Sequence, residues 1–164
     1  MIKKIAPLLL IVFILFSFKQ DNSKTKPFIG IWYWKNDTIK FNIEIYESFD
    51  LLKGNYWLTE TKNGNERIIY KSDKIIDNFF DIKYGNAITG NSKDGKFFTG
   101  IIKDNTLIDD GIHGIKEGEF WFTLLDSNTA KWKVKNLHSL DKKRKITPSK
   151  FTIPTDIILI RQKK

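Results

Sequence analysis

Thr38-Ile39-Lys40-Phe41-Asn42-Ile43-Glu44-Ile45-Tyr46 decides the fold class. Ile39, Phe41, Ile43 and Ile45 occupy every second position, with Lys40, Asn42 and Glu44 between them. Successive side chains of a strand point to opposite faces, so this stretch makes a strand with one apolar and one polar face, whereas a helix would mix the two sets. Ala130, Trp132 and Val134 alternate with Lys131, Lys133 and Lys135 in the same way, and Phe120, Phe122 and Leu124 form a third one-sided set. Outward from these, segments 28–34, 51–60, 66–71, 87–91, 96–103, 106–112 and 156–161 are rich in β-branched and aromatic residues. Asn36-Asp37, Asn63-Gly64, Asp94-Gly95, Asp104-Asn105, Glu117-Gly118 and Ser127-Asn128 read as turns between them. No stretch after residue 24 sustains a 3.6-residue apolar period, and short helical pieces are expected only around 72–80 and 137–143. Short strands at this spacing, without a crossover helix, predict an all-β domain. The expected architecture is a single antiparallel meander closing into an up-and-down barrel of about 8–10 strands.

The chain start reads differently. Met1-Ile2-Lys3-Lys4 is basic, and Ile5 to Phe18 is apolar apart from Pro7 and Ser17. A basic start followed by an apolar run shorter than the ~20 residues of a spanning helix is the pattern of an export signal. Ser17, with Leu15 two residues before it, offers a cleavage site; an uncleaved N-terminal anchor is the alternative. Leu15-Phe16-Ser17 also resembles the approach to a bacterial lipobox, but Phe18 stands where the lipidated cysteine would be. The expected organisation is therefore a signal peptide or hydrophobic segment over 1–20, a linker over 21–27 and a β-barrel domain over 28–164. The expected location is periplasmic or secreted, with no stable transmembrane span once the signal is removed.

Composition narrows the chemistry. The 164 residues contain no cysteine and two histidines, which excludes disulfides, cysteine-type zinc sites, iron–sulfur clusters and thiol nucleophiles. Hydrophobic residues make up 41% and aromatics 14%, enough for a real core. The net charge of +9 is unevenly placed: residues 131–164 carry 11 basic and two acidic side chains, a surplus equal to that of the whole chain.

Two resemblances follow from Phe28-Ile29-Gly30-Ile31-Trp32-Tyr33-Trp34. Gly30 and Trp32 on a first strand, with Arg161 near the end of the last, resemble the calycin pattern of lipocalins and fatty-acid-binding proteins. That likeness implies a barrel-closing pair, the Arg161 cation lying across the Trp32 ring. Phe28, Gly30, Trp32, Trp34, Asn36, Phe41, Ile43, Ile45, Gly54 and Tyr56 are similar to a family of small exported proteins of Bacteroidota, with Ile31 where threonine is usual. It covers mainly residues 28–60, with Ile69-Tyr70-Lys71-Ser72 as a weaker extension. It implies export and a β-rich fold, and no particular activity.

No catalytic constellation stands out. His113 and His138 are the only histidine bases; Asp109 and His113 share a strand face, with Asp110, Glu117 and Glu119 nearby, but a polar hairpin explains them equally well. Gly-x-Ser-x-Gly and a P-loop are both missing. No cofactor is expected, and a hydrolase with an acidic and histidine site is the weakest alternative. Aromatics carry more information. If Phe120 and Phe122 point inward, Trp121 points outward; if Leu52, Tyr56 and Leu58 point inward, Trp57 points outward. Trp32, Tyr56, Trp57 and Trp121 are candidate ligand or partner contacts. Lys131, Lys133 and Lys135, with Lys142, Lys143, Arg144 and Lys145, form a candidate anion-binding patch; a solvated strand face whose lysines guard against edge pairing is the alternative. The leading expectation is an exported, non-enzymatic binding or interaction module of the bacterial cell envelope, its partner open between a small apolar ligand and an anionic envelope component. A lipocalin-like carrier of a small apolar ligand is the alternative, and nucleic acid is not an expected partner.

Overall fold

A computed structural model describes residues 24–73, 75–77, 82–83, 86–105, 116–137 and 151–163. The 1–20 segment, the expected strand at 106–112 and most of the helical piece expected at 137–143 lie outside these residues. A 3-10 turn, Lys26–Phe28, precedes eleven strands: β1 Gly30–Lys35, β2 Ile39–Ser48, β3 Leu51–Lys62, β4 Asn65–Lys71, β5 Ile75–Asp77, β6 Ile82–Lys83, β7 Ile88–Ser92, β8 Phe97–Asp104, β9 Lys116–Leu124, β10 Thr129–Asn136 and β11 Asp156–Arg161. Nine strands join in the order β2-β1-β11-β10-β9-β8-β7-β3-β4, and β2 also pairs with β3. That last pairing closes eight antiparallel strands into a barrel and leaves β4 as a flap on β3. Closure removes the free edges that an open sheet would carry.

The alternation in β2 is realised across the wall. Phe41, Ile43 and Ile45 point inward and are buried, while Lys40 and Glu44 face out. Asn42, also on the outer face, is buried between Tyr33 and Trp57 of the neighbouring strands, and its Nδ2 donates to Thr59 Oγ1 at 3.1 Å. Gly90 of β7 faces Gly100 of β8, and a Cβ at either would lie 2.1 Å from a carbonyl oxygen of the other strand. The close approach of these two strands therefore requires glycine.

Several expectations change. The 3-10 turn begins inside the stretch read as a linker, and Phe28 is a buried plug rather than a strand residue. Ile75–Asp77, inside the expected helical piece, is a strand paired with β6. Glu117-Gly118 is not a turn but part of β9, where Gly118 packs under Phe151 and the Lys135 carbonyl. Asp104-Asn105 ends β8 with both side chains buried. Conversely, the β2–β3 turn at Phe49-Asp50 was not legible. Both residues take φ near that of a left-handed turn, 49° and 65°, without a glycine or asparagine to mark it.

Candidate functional site

One end of the barrel is closed by a cation on an indole. Trp32 on β1 stands opposite Arg161 on β11, and the Arg161 guanidinium carbon lies 4.1 Å from the Trp32 ring centroid. Arg161 Nη1 donates to the Ile29 carbonyl at 2.8 Å, Nε to the Ser127 carbonyl at 2.9 Å, and Nη2 to the Pro27 carbonyl. Each of the three nitrogens donates to a backbone oxygen, and partial burial lowers the Arg161 pKa. Trp32 Nε1 donates to the Phe28 carbonyl at 2.9 Å, while the Phe28 ring wedges against Phe98 and Phe122. This arrangement seals the end rather than offering a free cation to a ligand.

The interior is filled. Trp32, Phe41, Phe98, Phe120, Phe122 and Trp132 are 0% exposed, so no space wide enough for a water touches them. Their rings interlock: Phe122 meets Trp32 edge-on at 5.0 Å, Phe98 meets Phe120 at 4.8 Å, and Phe120 stacks on Trp132 at 5.2 Å. Such packing leaves no vacancy at this level of the barrel. Trp32 and Tyr56, expected as ligand contacts, are therefore core residues; alternation placed them inward but not how tightly the opposing wall would fill against them.

The opposite end is closed by a hydrogen-bonded polar cluster. Buried Asp104 accepts from Thr152 N at 2.7 Å and from Thr152 Oγ1 at 3.0 Å, and Tyr56 OH reaches its other oxygen at 3.4 Å. Asn105 Nδ2 donates to the Ser72 carbonyl at 2.6 Å, and Tyr70 OH donates to Asn105 Oδ1. Burial first, then the Asp104 and Tyr70 charges, push the Tyr56 phenol far above its ordinary ionisation range. A phenol held neutral this way is a fixed hydrogen-bonding strut and no general base.

The outer wall carries the accessible candidates. Trp57 and Trp121 point away from the core and are half-buried. Across the strands, Trp121 faces Lys133 and Thr99, Lys131 faces Thr123 and Ile158, and Lys135 faces Glu119. Lys135 Nζ sits 5.4 Å above the Trp121 ring centroid. The ion pairs among the described residues, Arg67–Glu60 and Lys103–Glu117, involve none of these lysines. Ile158 and Ile160 of β11 are exposed beside them. The result is an outer face of aromatic, aliphatic and cationic side chains on β9, β10 and β11, with the exposed Glu119 and Asp156 opposite Lys135 and Lys133. Lys142, Lys143, Arg144 and Lys145 lie outside the described residues, as do Asp109, Asp110, His113 and His138. Among the described residues no group of three or more histidines or carboxylates is placed to hold a metal ion.

Two surface features escaped sequence reading. Phe49 is 90% exposed at the β2–β3 tip, where Lys53 Nζ lies 5.7 Å from its ring centroid. A groove beside Trp57 gathers Glu44, Asn55, Ile68, Lys71 and Asp73. A turn signal would have found the first only with a glycine present, and the second depends on the register of three strands. No family model, curated protein or solved structure matches the chain.

Proposed function

We propose that this chain is an exported, non-enzymatic interaction module of the bacterial cell envelope that binds an anionic envelope component on its outer wall. The observation that carries the reading is the Trp121 face: three lysines in alternate positions of β10, free of ion pairs among the described residues, flank an outward tryptophan, while the described aromatic rings of the core interlock. An anionic lipid surface or acidic polymer meets such a face through the ammonium groups, and the indole and aliphatic side chains add apolar contact at the boundary. Export rests on the N-terminal pattern, and the resemblance to small exported β-rich proteins agrees with it. Among the described residues no helix is long and apolar enough to cross a membrane.

The test is co-sedimentation with vesicles containing phosphatidylglycerol against vesicles of phosphatidylcholine alone. Binding to the anionic vesicles is expected, weakening as salt rises. At about 1 kcal/mol per lysine near such a surface, Lys131, Lys133 and Lys135 changed together to glutamine should weaken it roughly a hundredfold. Equal binding to both vesicle types, or no effect of the triple change, overturns the reading. A carrier of an apolar ligand would need the interlocked rings around Trp32 and Trp132 to part; a tryptophan emission change on titration with a fatty acid is the result that favours it.

A further inference from the structure

A separate feature lies on the outer wall at other strands of the barrel, β2, β3 and β4. Along one edge, β3 pairs with β7 from Leu52 to Gly54 and with β4 from Trp57 onward, so Asn55 and Tyr56 fall in the gap between two partners. Ser72 bridges the gap: its Oγ accepts from Tyr56 N and its own N donates to the Tyr56 carbonyl, both at 2.9 Å. Immediately beyond, β4 carries a bulge. Leu58 pairs with Tyr70 but Thr59 pairs with Ile68, so Ile69 is the extra residue. The bulge matters because residues three apart on a regular strand face opposite sides. Here it puts Ile68 and Lys71 on the same outer face as Trp57. The outcome is a groove of about 300 Å³ lined by Trp57, Ile68, Glu44, Asn55, Lys71 and Asp73.

The chemistry of this lining is selective. Trp57 and Ile68 supply an apolar wall, and the polar groups around it include both donors and acceptors: two carboxylates, one ammonium and one amide. Two negative charges against one positive disfavour an anion. A purely apolar ligand would leave these polar groups without partners. Asn55 Oδ1 is already buried with no hydrogen-bond donor, so turning that amide toward a ligand hydroxyl would relieve an existing deficit. A ring with apolar C–H faces and hydroxyls around its edge meets every one of these conditions, and the groove sits at the small end of ligand sites, suited to one such ring.

We propose that the Trp57 groove binds one neutral pyranose ring of a glycan, stacked on the indole, with its hydroxyls bonded to Glu44, Lys71 and Asp73. The site uses other strands than the lysine face and does not rest on the anionic reading above.

Titration of the full chain with maltotriose, cellotriose and chitotriose, followed by tryptophan emission and calorimetry, tests it. At least one of the three should saturate with a Kd of roughly 0.1–10 mM, and binding should be insensitive to salt, unlike binding at the lysine face. Trp57→Ala should weaken it by about tenfold or more, Trp57→Phe should retain most of it, and Trp121→Ala should leave it unchanged. If Trp57→Ala loses its far-ultraviolet β signature, Glu44→Ala with Lys71→Ala decides, and it too should weaken binding severalfold. No saturation by any of the three sugars, binding unaffected by the groove variants in a folded protein, or equal loss in Trp121→Ala overturns the proposal.

Discussion

The two ends of this barrel are sealed by opposite means. At the Trp32 end the connections are short: Phe49-Asp50, the Ser92–Phe97 turn and the Leu125–Asn128 turn, with the 3-10 turn tucked across them. The seal is apolar, a ring plug of Phe28 and a cation stacked on Trp32 that donates from each of its three nitrogens to a backbone carbonyl. At the Tyr56 end the links from β4 to β7, β8 to β9 and β10 to β11 are all long. The seal there is polar, with Asp104, Asn105, Tyr56, Tyr70, Ser72 and Thr152 joined by hydrogen bonds. Tight turns permit a fixed cap because few backbone groups need partners. The described ends of the long connections bring backbone groups such as the Ser72 carbonyl and Thr152 N to the rim, and buried polar side chains satisfy them. Long loops on a rigid frame are also where binding residues are most often added.

This contrast can be broken at each end, beginning with the larger effect. Trp32→Ala should cost about 3–5 kcal/mol in urea unfolding, because it opens a cavity among rings that cannot collapse and removes the platform for Arg161. Arg161→Lys should cost less than Trp32→Ala yet clearly destabilise, since a lysine cannot replace three directed donors. A loss under about 1 kcal/mol for Trp32→Ala would mean the plug carries little of the fold.

At the polar end, Asp104→Ala should cost about 2–3 kcal/mol, because Thr152 N, Thr152 Oγ1 and Tyr56 OH lose a buried acceptor together. Asp104→Asn keeps one acceptor oxygen and should cost less. If both variants match the parent in denaturant unfolding, the cluster is decorative and the ends do not differ in kind.

The smallest effects separate the ends by pH. The unfolded Tyr56 phenol ionises near 10.0 and the folded one higher, so its stabilising contribution is complete below pH 10 and is lost as pH rises beyond it. Tyr56→Phe should therefore flatten the alkaline fall in stability. The hairpins of the Trp32 end give the mirror case. Asp94 accepts from the Lys96 and Phe97 amides, and Asp126 from Thr129 Oγ1 and the Asn128 and Thr129 amides; these bonds hold both carboxyls below the ordinary 3.8. Their contribution is present above pH 3.8 and lost as pH falls through the folded values. Asp94→Ala with Asp126→Ala should thus destabilise at neutral pH, and the difference from the parent should shrink on acidification. A difference constant with pH would detach these turns from the acid limb.

How far these features were readable follows from their range. The period-two apolar sets of β2, β9 and β10 are local, and they placed the strands, their inward faces and the outward Trp57 and Trp121 because alternation is a property of the backbone itself. Asn63-Gly64 marked its hairpin, with φ of 53° and 78°, for the same reason. Phe49-Asp50 adopts an equally left-handed turn with a bulky aromatic at one of its two positions, since the long β2–β3 ladder from Ile39–Glu60 to Ser48–Leu51 dictates the reversal whatever sits at the tip. Asp104-Asn105 carries turn chemistry yet is buried, because Tyr56 and Thr152, each about 48 residues away along the chain, supply its partners.

Sequence alone therefore determined that this chain forms one-sided strands and that neighbours such as Tyr56-Trp57 and Phe120-Trp121-Phe122 put aromatic rings on both faces. Only the tertiary structure decided that the described core rings interlock, that Asp104 and Asn105 join a buried polar cluster, and that Trp57 lies beside Glu44, Asn55, Lys71 and Asp73. The physical reason is register. Alternation sets which side of the sheet a residue faces, but its neighbours across the sheet depend on strand order, a one-residue bulge at Ile69 and barrel closure through β2 and β3, none of which is written in any local stretch.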